Sequence, residues 1–325
     1  MPVSSSATVI PTVEEFISHW EEAHEALGPT APIIVAVPDK GAFSLLDLTN
    51  QRQQILDVQT LVQARINDVE TQRAEIVIQK TALLKAMDGF LSILDGYYQG
   101  TKFYGGRPLK PSVGEGQDRF SKPMADVMTL WEDINTSPAP PGLTLPVELT
   151  DGETQGSFAS RVSALQFAYL ELTRRERRLK TLRTERALKE DLACAVMKAY
   201  RIVAPQKLEE HPALASTLPR LSPEPGHTPD PVAASGSHIP PSTTHITHAA
   251  STDPDIEYYV LEGLIGEEWN EDDAVHLGRH NAGEPNEFTI TFGLAQPGSA
   301  VVYKVYAVLD TGRRAGSEAI VVRRV

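Results

Sequence analysis

The sequence predicts a multidomain α-plus-β chain: an elongated antiparallel helical bundle, or coiled-coil hairpin, followed by a small all-β sandwich. Three observations point there. Apolar residues recur every seven positions over about residues 44–99 and again over 157–203, a proline-dense run interrupts the chain after residue 218, and beyond residue 252 the apolar period shortens to two. A period near 3.5 lines one stripe of a helix, whereas a period of two lines one face of a strand. The 325 residues suffice for about two domains at ~100–200 residues each.

The first helix is expected to start at Thr12, whose hydroxyl caps free N–H groups while Glu15 reaches back to it. Phe16, Trp20, Ala23 and Leu27 follow at helical spacing, and Gly28 with Pro29 stops the helix. The β-branched stretch between Pro32 and Pro38 reads as an extended connector rather than a sheet strand, because prolines bracket it. Leu48, Ile55, Val62, Val69, Ile76, Leu83, Phe90 and Tyr97 then fall seven apart without a miss. A strict heptad drifts on a straight helix and calls for left-handed supercoiling against a partner. At ~1.5 Å per residue this helix would be roughly 80 Å long. Its partner is legible in Phe158, Leu165, Leu172 and Leu179, again seven apart. Between the two, Met124, Val127, Met128, Trp131 and Ile134 mark a shorter amphipathic helix. The simplest assembly over residues 1–218 lays the two long helices antiparallel, with the helices near Phe16–Leu27 and Lys122–Ile134 alongside, as an uneven four-helix bundle. The seam is equally open to completion by another chain.

Residues 219–251 are rich in Pro, Ser, Thr and His without apolar period, and are expected to be a linker. Residues 252–325 read as strands: Ile256, Tyr258 and Val260 alternate on one face, followed by Phe288, Ile290 and Phe292, then Val301, Tyr303, Val305 and Ala307, and finally Ile320 and Val322. Turns fall at Gln296–Ser299 and Asp310–Gly312. The stretch from Leu294 through Pro297, Gly298, Tyr303, Val305 and Ala307 to Gly312 resembles the E-to-F corner and F strand of a fibronectin type III module. By that resemblance Tyr258–Val260 corresponds to strand C and Ser317–Val322 to strand G. It covers about the last quarter of the chain and implies a Greek-key sandwich. No A or B strand is legible before Asp253.

A formal net charge of −13 repels phosphate backbones, so no nucleic-acid partner is expected. No apolar run approaches the ~18–20 residues that cross a bilayer, and the first residues lack a secretory pattern, so a cytoplasmic protein with no membrane span is the default expectation. Cys194 stands alone, which leaves no intramolecular disulfide and favours an inert buried thiol. Arg174, Arg175, Arg177, Arg178, Lys180, Arg183, Arg186 and Lys189 interleave with Glu171, Glu176, Glu185 and Glu190, the pattern of a solvated helix face. Glu267, Glu268, Glu271, Asp272 and Asp273 lack the spacing of a calcium loop and read as solvated acidity. His238, His245 and His248 sit in the expected linker without cysteine or placed carboxylates, so no metal and no cofactor are expected. No nucleophile elbow occurs, and Gly114 with Gly116 is not a phosphate loop; no enzymatic activity is expected.

These features together point to a structural or interaction protein. The bundle would set spacing or self-assembly through its heptad seams, and the sandwich would bind a protein partner through its strand edges or the loops near Trp269, Arg313 and Arg314. Arg174 and Arg178 are the corresponding candidates on the helical part. The layout is compatible with a component of a bacterial or phage particle, or of an envelope assembly. Two alternatives remain: a membrane-active helical protein whose hairpin opens to insert, and a carbohydrate-binding accessory that uses Trp269.

Overall fold

The computed structural model describes Val3 and residues 5–29, 31–222 and 226–324. The chain divides into two compact units, Met1–Asn67 with Leu179–Val325 and Asp68–Arg178. Two helices of 53 residues, α2 (Leu45–Tyr97) and α5 (Gln155–Lys207), contribute to both.

In the first unit the chain opens with α1 (Ser6–Leu27), which starts six residues before Thr12. Thr8 takes the part expected of a glutamate: its hydroxyl accepts from the Ser5 backbone N–H at 3.1 Å, closing a capping box about two turns earlier. Pro11 therefore lies inside the helix instead of ahead of it. The helix ends where expected, with Gly28 at φ 72°. The stretch read as a connector is half of a hairpin, in which β1 (Val35–Val37) pairs antiparallel with β2 (Gly41–Phe43). Asp39 at φ 59° and Gly41 at φ 100° supply the left-handed turn between them, so Pro38 closes the strand without having to donate within it.

The heptad positions behave as the spacing requires. Leu48, Ile55 and Val62 in the first unit, and Val69, Ile76, Leu83 and Phe90 in the second, are all buried. Tyr97 is not: it is the last helical residue and 43% exposed, while Tyr98 turns inward. The two long helices run antiparallel in each unit. In the first, the Gln51 side chain donates to the Lys189 carbonyl at 3.0 Å and Lys189 Nζ to Gln54 at 2.9 Å. In the second, Arg175 donates to the Asp68 carbonyl at 2.9 Å, and Arg73 pairs with Glu176 at 3.0 Å.

The expected four-helix bundle is replaced by two three-helix cores. In the first unit α1 packs on α2 and α5, with Trp20 stacked on Tyr200 at 4.3 Å and Val35 of the hairpin beneath. In the second, after the single turn α3 (Lys102–Gly105), helix α4 (Gln117–Asn135) fills the same role. Phe90 stacks on Trp131 at 4.8 Å, Phe158 closes the other side, and the Trp131 indole N–H donates to the Val147 carbonyl at 3.2 Å. Two large aromatics per added helix, Phe16 and Trp20 on α1 and Phe120 and Trp131 on α4, anchor the cores, because a fully buried ring removes the most apolar surface per side chain from water.

After the short α6 (Pro212–Ser216), the segment expected to be a linker contains two strands, β3 (Ala234–Ile239) and β4 (Thr243–His248). The remaining strands are β5 (Ile256–Ile265), β6 (Val275–Asn281), β7 (Glu287–Ile290), β8 (Ala300–Leu309), β9 (Arg314–Gly316) and β10 (Ile320–Arg323). They form a three-stranded antiparallel sheet β3-β4-β7 and a five-stranded sheet in the order β10-β8-β5-β6, with β9 also on β8. Ile246 and Phe288 from one sheet meet Tyr259, Leu261, Tyr303, Val305 and Val322 from the other in a single core. The faces of β8, β7 and β10 are those the alternation predicts. On β5 the face is reversed: Tyr259 and Leu261 point into the sandwich, Tyr258 and Val260 out of it. A register shift between Ile256 and Tyr258 breaks the alternation there and sends Ile256 back to the core side.

Replacing Phe90 with Ala removes a fully buried ring and its partner contact with Trp131. The expected cost is about 3–5 kcal/mol, read as a lower urea midpoint for the full chain. A loss under about 1 kcal/mol would mean that the Phe90 site collapses without a cavity.

Candidate functional site

Two of the loop residues expected to form the module's contact surface, Trp269 and Arg314, lie at the outer face of the larger sheet, which is covered within the first unit. Tyr258, Val260, Tyr306 and Val308 form a second buried cluster on that face, and α1 lies against β6. Both faces of β5 are thus covered, which explains its near-continuous burial from Tyr258 to Leu264.

Arg314 is at the centre of this face. Its guanidinium lies 4.1 Å from the Tyr306 ring centroid, pairs with Glu262, and reaches Glu271 at 3.2 Å and the Ser5 hydroxyl at 2.9 Å. The Arg314 side chain is 8% exposed and that of Glu262 fully buried. Burial raises the Glu262 carboxyl above its ordinary range, against the opposing pull of Arg314. Arg314 is therefore an internal clamp, contrary to its expected place on an exposed binding surface. Trp269 is half-buried against the same cluster, with Lys304 Nζ 5.3 Å over its ring. Arg313 is partly exposed, and its guanidinium lies 3.4 Å from the Thr228 hydroxyl. Arg174 and Arg178 are exposed on α5, Arg174 paired with Glu171. The structure brings Trp269 and Arg314 to one face; Arg174 and Arg178 belong to the other unit.

A second clamp was hidden in the charge run on α5. Arg183 grips Asp273 through two parallel contacts, its Nε at 2.8 Å from Oδ1, and Arg186 Nη2 lies 3.6 Å from the same oxygen. Arg186 also donates to the Asp272 carbonyl, while Gln63 of α2 donates to the Asp273 carbonyl at 2.9 Å. Glu190 flanks Arg186 at 3.5 Å and accepts from the Ser6 hydroxyl at 2.8 Å. Asp273 is 1% exposed and Arg186 3%, so neither belongs to the solvated loop or the solvated helix face that the sequence suggested. A signal was present: counting on from Phe158, Leu165, Leu172 and Leu179, the next heptad position is Arg186, followed by Ala193 and Tyr200. A charge on an apolar stripe needs a buried partner. Asn270 shapes the loop that supplies it, accepting from the Asp272 N–H at 3.1 Å and donating to Asp273 at 2.9 Å.

The three histidines assigned to the linker lie on strands. His245 pairs with Glu287 at 3.1 Å, His238 approaches the Pro241 carbonyl at 3.4 Å, and His248 meets His280. His227, Asp253 and Asp255 also converge, but His227 is exposed and already paired with Asp253 at 2.7 Å. Cys194 is half-buried, and burial pushes its thiol above the usual range, away from reactivity. A surface hollow of about 630 Å³ lined by Arg107, Lys122, Asp126 and Asp133 has no His, Cys or Ser on its walls.

Two outcomes are expected from these clamps. Arg314→Ala leaves Glu262 buried and unpaired, and should lower the stability of the full chain by about 3–5 kcal/mol. Replacing both partners with Arg314→Met and Glu262→Leu should recover most of the loss in denaturant titrations; failure to recover would mean that the pair does more than satisfy itself. Separately, burial first, then Arg279 and Arg314, depress the His276 imidazole below 6.5, with Glu14 opposing. The unfolded chain takes up that proton first. The stabilising effect of neutral His276 is therefore full above pH 6.5 and lost as pH falls through its folded value. The urea midpoint should drop between pH 7.5 and 5.5, and drop less in His276→Asn; equal drops would exclude His276 as the source.

No family model matches the chain, and no curated protein matches it. Among solved structures, a fibronectin type III-like protein from Clostridium thermocellum is matched at 16% identity over 30% of this chain and 96% of that one, with a TM-score of 0.25. A pectate lyase from Erwinia chrysanthemi, solved in complex with tetragalacturonic acid, is matched at 14% identity over 28% of each chain, with a TM-score of 0.24. Titin kinase with its flanking domains is matched at 16% identity over 29% of this chain and 17% of that one, with a TM-score of 0.24. This chain thus spans under a third of the length of the pectate lyase and of the titin segment. Likenesses this slight assign no activity to it.

Proposed function

We propose that this chain is a non-enzymatic structural or interaction protein whose long helices supply the contact surface and whose β module is fibronectin type III-like. The observation that carries the reading is apolar surface left on the helices. Phe167 and Leu170 of α5 are 59% and 58% exposed, and lie three residues apart, on one side of the helix. Val77 and Ile78 of α2 are exposed in the same unit. Single exposed apolar residues are ordinary, but paired ones at helical spacing beside a buried heptad stripe suit a further helix, from a second copy or a protein partner. The helices, with their heptad seam, would act as a coiled-coil spacer. Assembly into a bacterial or phage particle or envelope structure is compatible with that role.

For the module, support comes from the strand order and from Tyr303. Its hydroxyl lies 3.3 Å from the Phe292 carbonyl, to which it donates across the turn, the kind of corner lock that Greek-key sandwiches use. Trp269 and Arg314 are occupied within the chain, which moves the expected contact surface from the module to the helices. Among the described residues no helix is long and apolar enough to cross a membrane, which weighs against the membrane-active alternative.

Sedimentation velocity of the full chain across a concentration series tests the reading. The expected result is concentration-dependent association, lost in the double variant Phe167→Glu with Leu170→Glu while circular dichroism is unchanged. A chain that is monomeric throughout, and that captures no helical partner through these two residues, would remove the support.

A further inference from the structure

His248 closes β4 in the three-stranded sheet, and His280 sits near the end of β6 in the other. Their Nδ1 atoms lie 2.9 Å from the Ala249 carbonyl and 3.1 Å from the Asn281 carbonyl. A carbonyl oxygen only accepts, so both Nδ1 atoms carry hydrogen. In each neutral ring the Nε2 is then a bare lone pair, and the two Nε2 atoms face each other at 2.9 Å. The rings are 18° from parallel with centroids 5.1 Å apart. That separation equals the nitrogen gap plus the two ring radii, so the imidazoles meet tip to tip and both lone pairs point into one gap. Tyr259 and Phe288 wall the gap, with ring centroids 4.3 and 6.0 Å from that of His248 and 5.2 and 4.8 Å from that of His280.

Two lone pairs aimed at one another repel unless a Lewis acid lies between them. We propose that His248 and His280 form a two-imidazole site for a divalent transition-metal ion of the class that prefers imidazole, Cu²⁺, Ni²⁺ or Zn²⁺, joining the two sheets of the sandwich. The far side of each ring is already held as metal-bound histidines are held, by an Nδ1–H donated to a backbone carbonyl that fixes tautomer and orientation. Imidazole nitrogens suit these three ions, with Cu²⁺ bound most tightly. With metal–nitrogen bonds of about 2.0–2.1 Å at a tetrahedral angle, the nitrogens stand roughly 3.3 Å apart, so on binding the rings part by about 0.4 Å and each tilts by roughly 35° to aim its lone pair at the ion. His280 is half-exposed, which gives the ion entry and lets water complete its coordination. Binding holds the end of β4 to edge strand β6 and stabilises the folded module in proportion to occupancy.

The test is titration of the full chain with Cu²⁺, Ni²⁺ and Zn²⁺ in turn, followed by calorimetry, electron paramagnetic resonance for Cu²⁺, and thermal melting. Expected are about one equivalent of Cu²⁺ bound, two imidazole nitrogens in its spectrum, and a melting temperature raised by metal. His248→Gln and His280→Gln should each weaken binding by roughly tenfold or more and abolish the melting shift, whereas His227→Gln and His245→Gln should change neither. His280→Gln, at the more exposed ring, decides the matter if His248→Gln fails to fold. Binding that survives His280→Gln overturns the proposal. So does absence of binding with ¹⁵N resonances that show one proton shared between the two Nε2 atoms, because the gap would then be a proton site only.

Discussion

The fold of the larger unit depends on one buried carboxylate. Asp273 sits on a loop of the β module, beneath two arginines of α5, and takes a two-point grip from Arg183 and a longer contact from Arg186. Taking those charges out of water costs several kcal/mol per ion, and only the full set of partners offsets it. The module therefore cannot drift from the helices without leaving Arg186 and Asp273 unpaired in an apolar setting. Glu262 with Arg314 repeats the logic on the outer sheet face, where the helix entry at Ser5 supplies the last acceptor. Hydrophobic area between helix and sheet gives attraction, and the charge pairs give orientation, since apolar contact alone is non-directional.

Much of the helical half was legible because burial there repeats at a fixed interval. Seven of the eight positions from Leu48 to Tyr97 are buried, and the one exception falls on the final helical residue. The start of α1 is not legible in the sequence because Thr8 caps in the manner of a glutamate. Strands β3 and β4 carry no strand signal for a compositional reason. Segments such as Ser235–Ile239 and Thr243–Thr247 are nearly all small or polar, and Ile246 alone contributes a large side chain to the core. A strand in a three-stranded sheet with one solvated face needs little more than that. On β5 the alternation was real, but a register shift inverted which side it described.

The candidate surface was less legible. Residue type alone does not separate an arginine in water from one sealed over a tyrosine ring, and Arg314 is the second kind. Local sequence around Glu262 shows only an acidic residue within an apolar strand, which is the one cue that a buried counter-charge was required. For Arg183, Arg186 and Asp273 the partners are 90 and 87 residues apart in the chain, so no window of sequence contains both. The histidine pair is illegible for the same reason: His248 reads as a linker residue, and without β4 nothing in the sequence brings His280 beside it.

The position of Arg186 within the apolar stripe of α5 has a consequence for alignment. Leucines and alanines seven apart are interchangeable, so a helix pair built from them can slide by one repeat at little cost. Arg186 breaks that degeneracy. A slide of one heptad would set Leu179 or Ala193 opposite the Asp273 carboxylate and strand the guanidinium among methyl groups. The β module thus works as a vernier for the helices: it engages at a single setting and rejects the neighbouring ones.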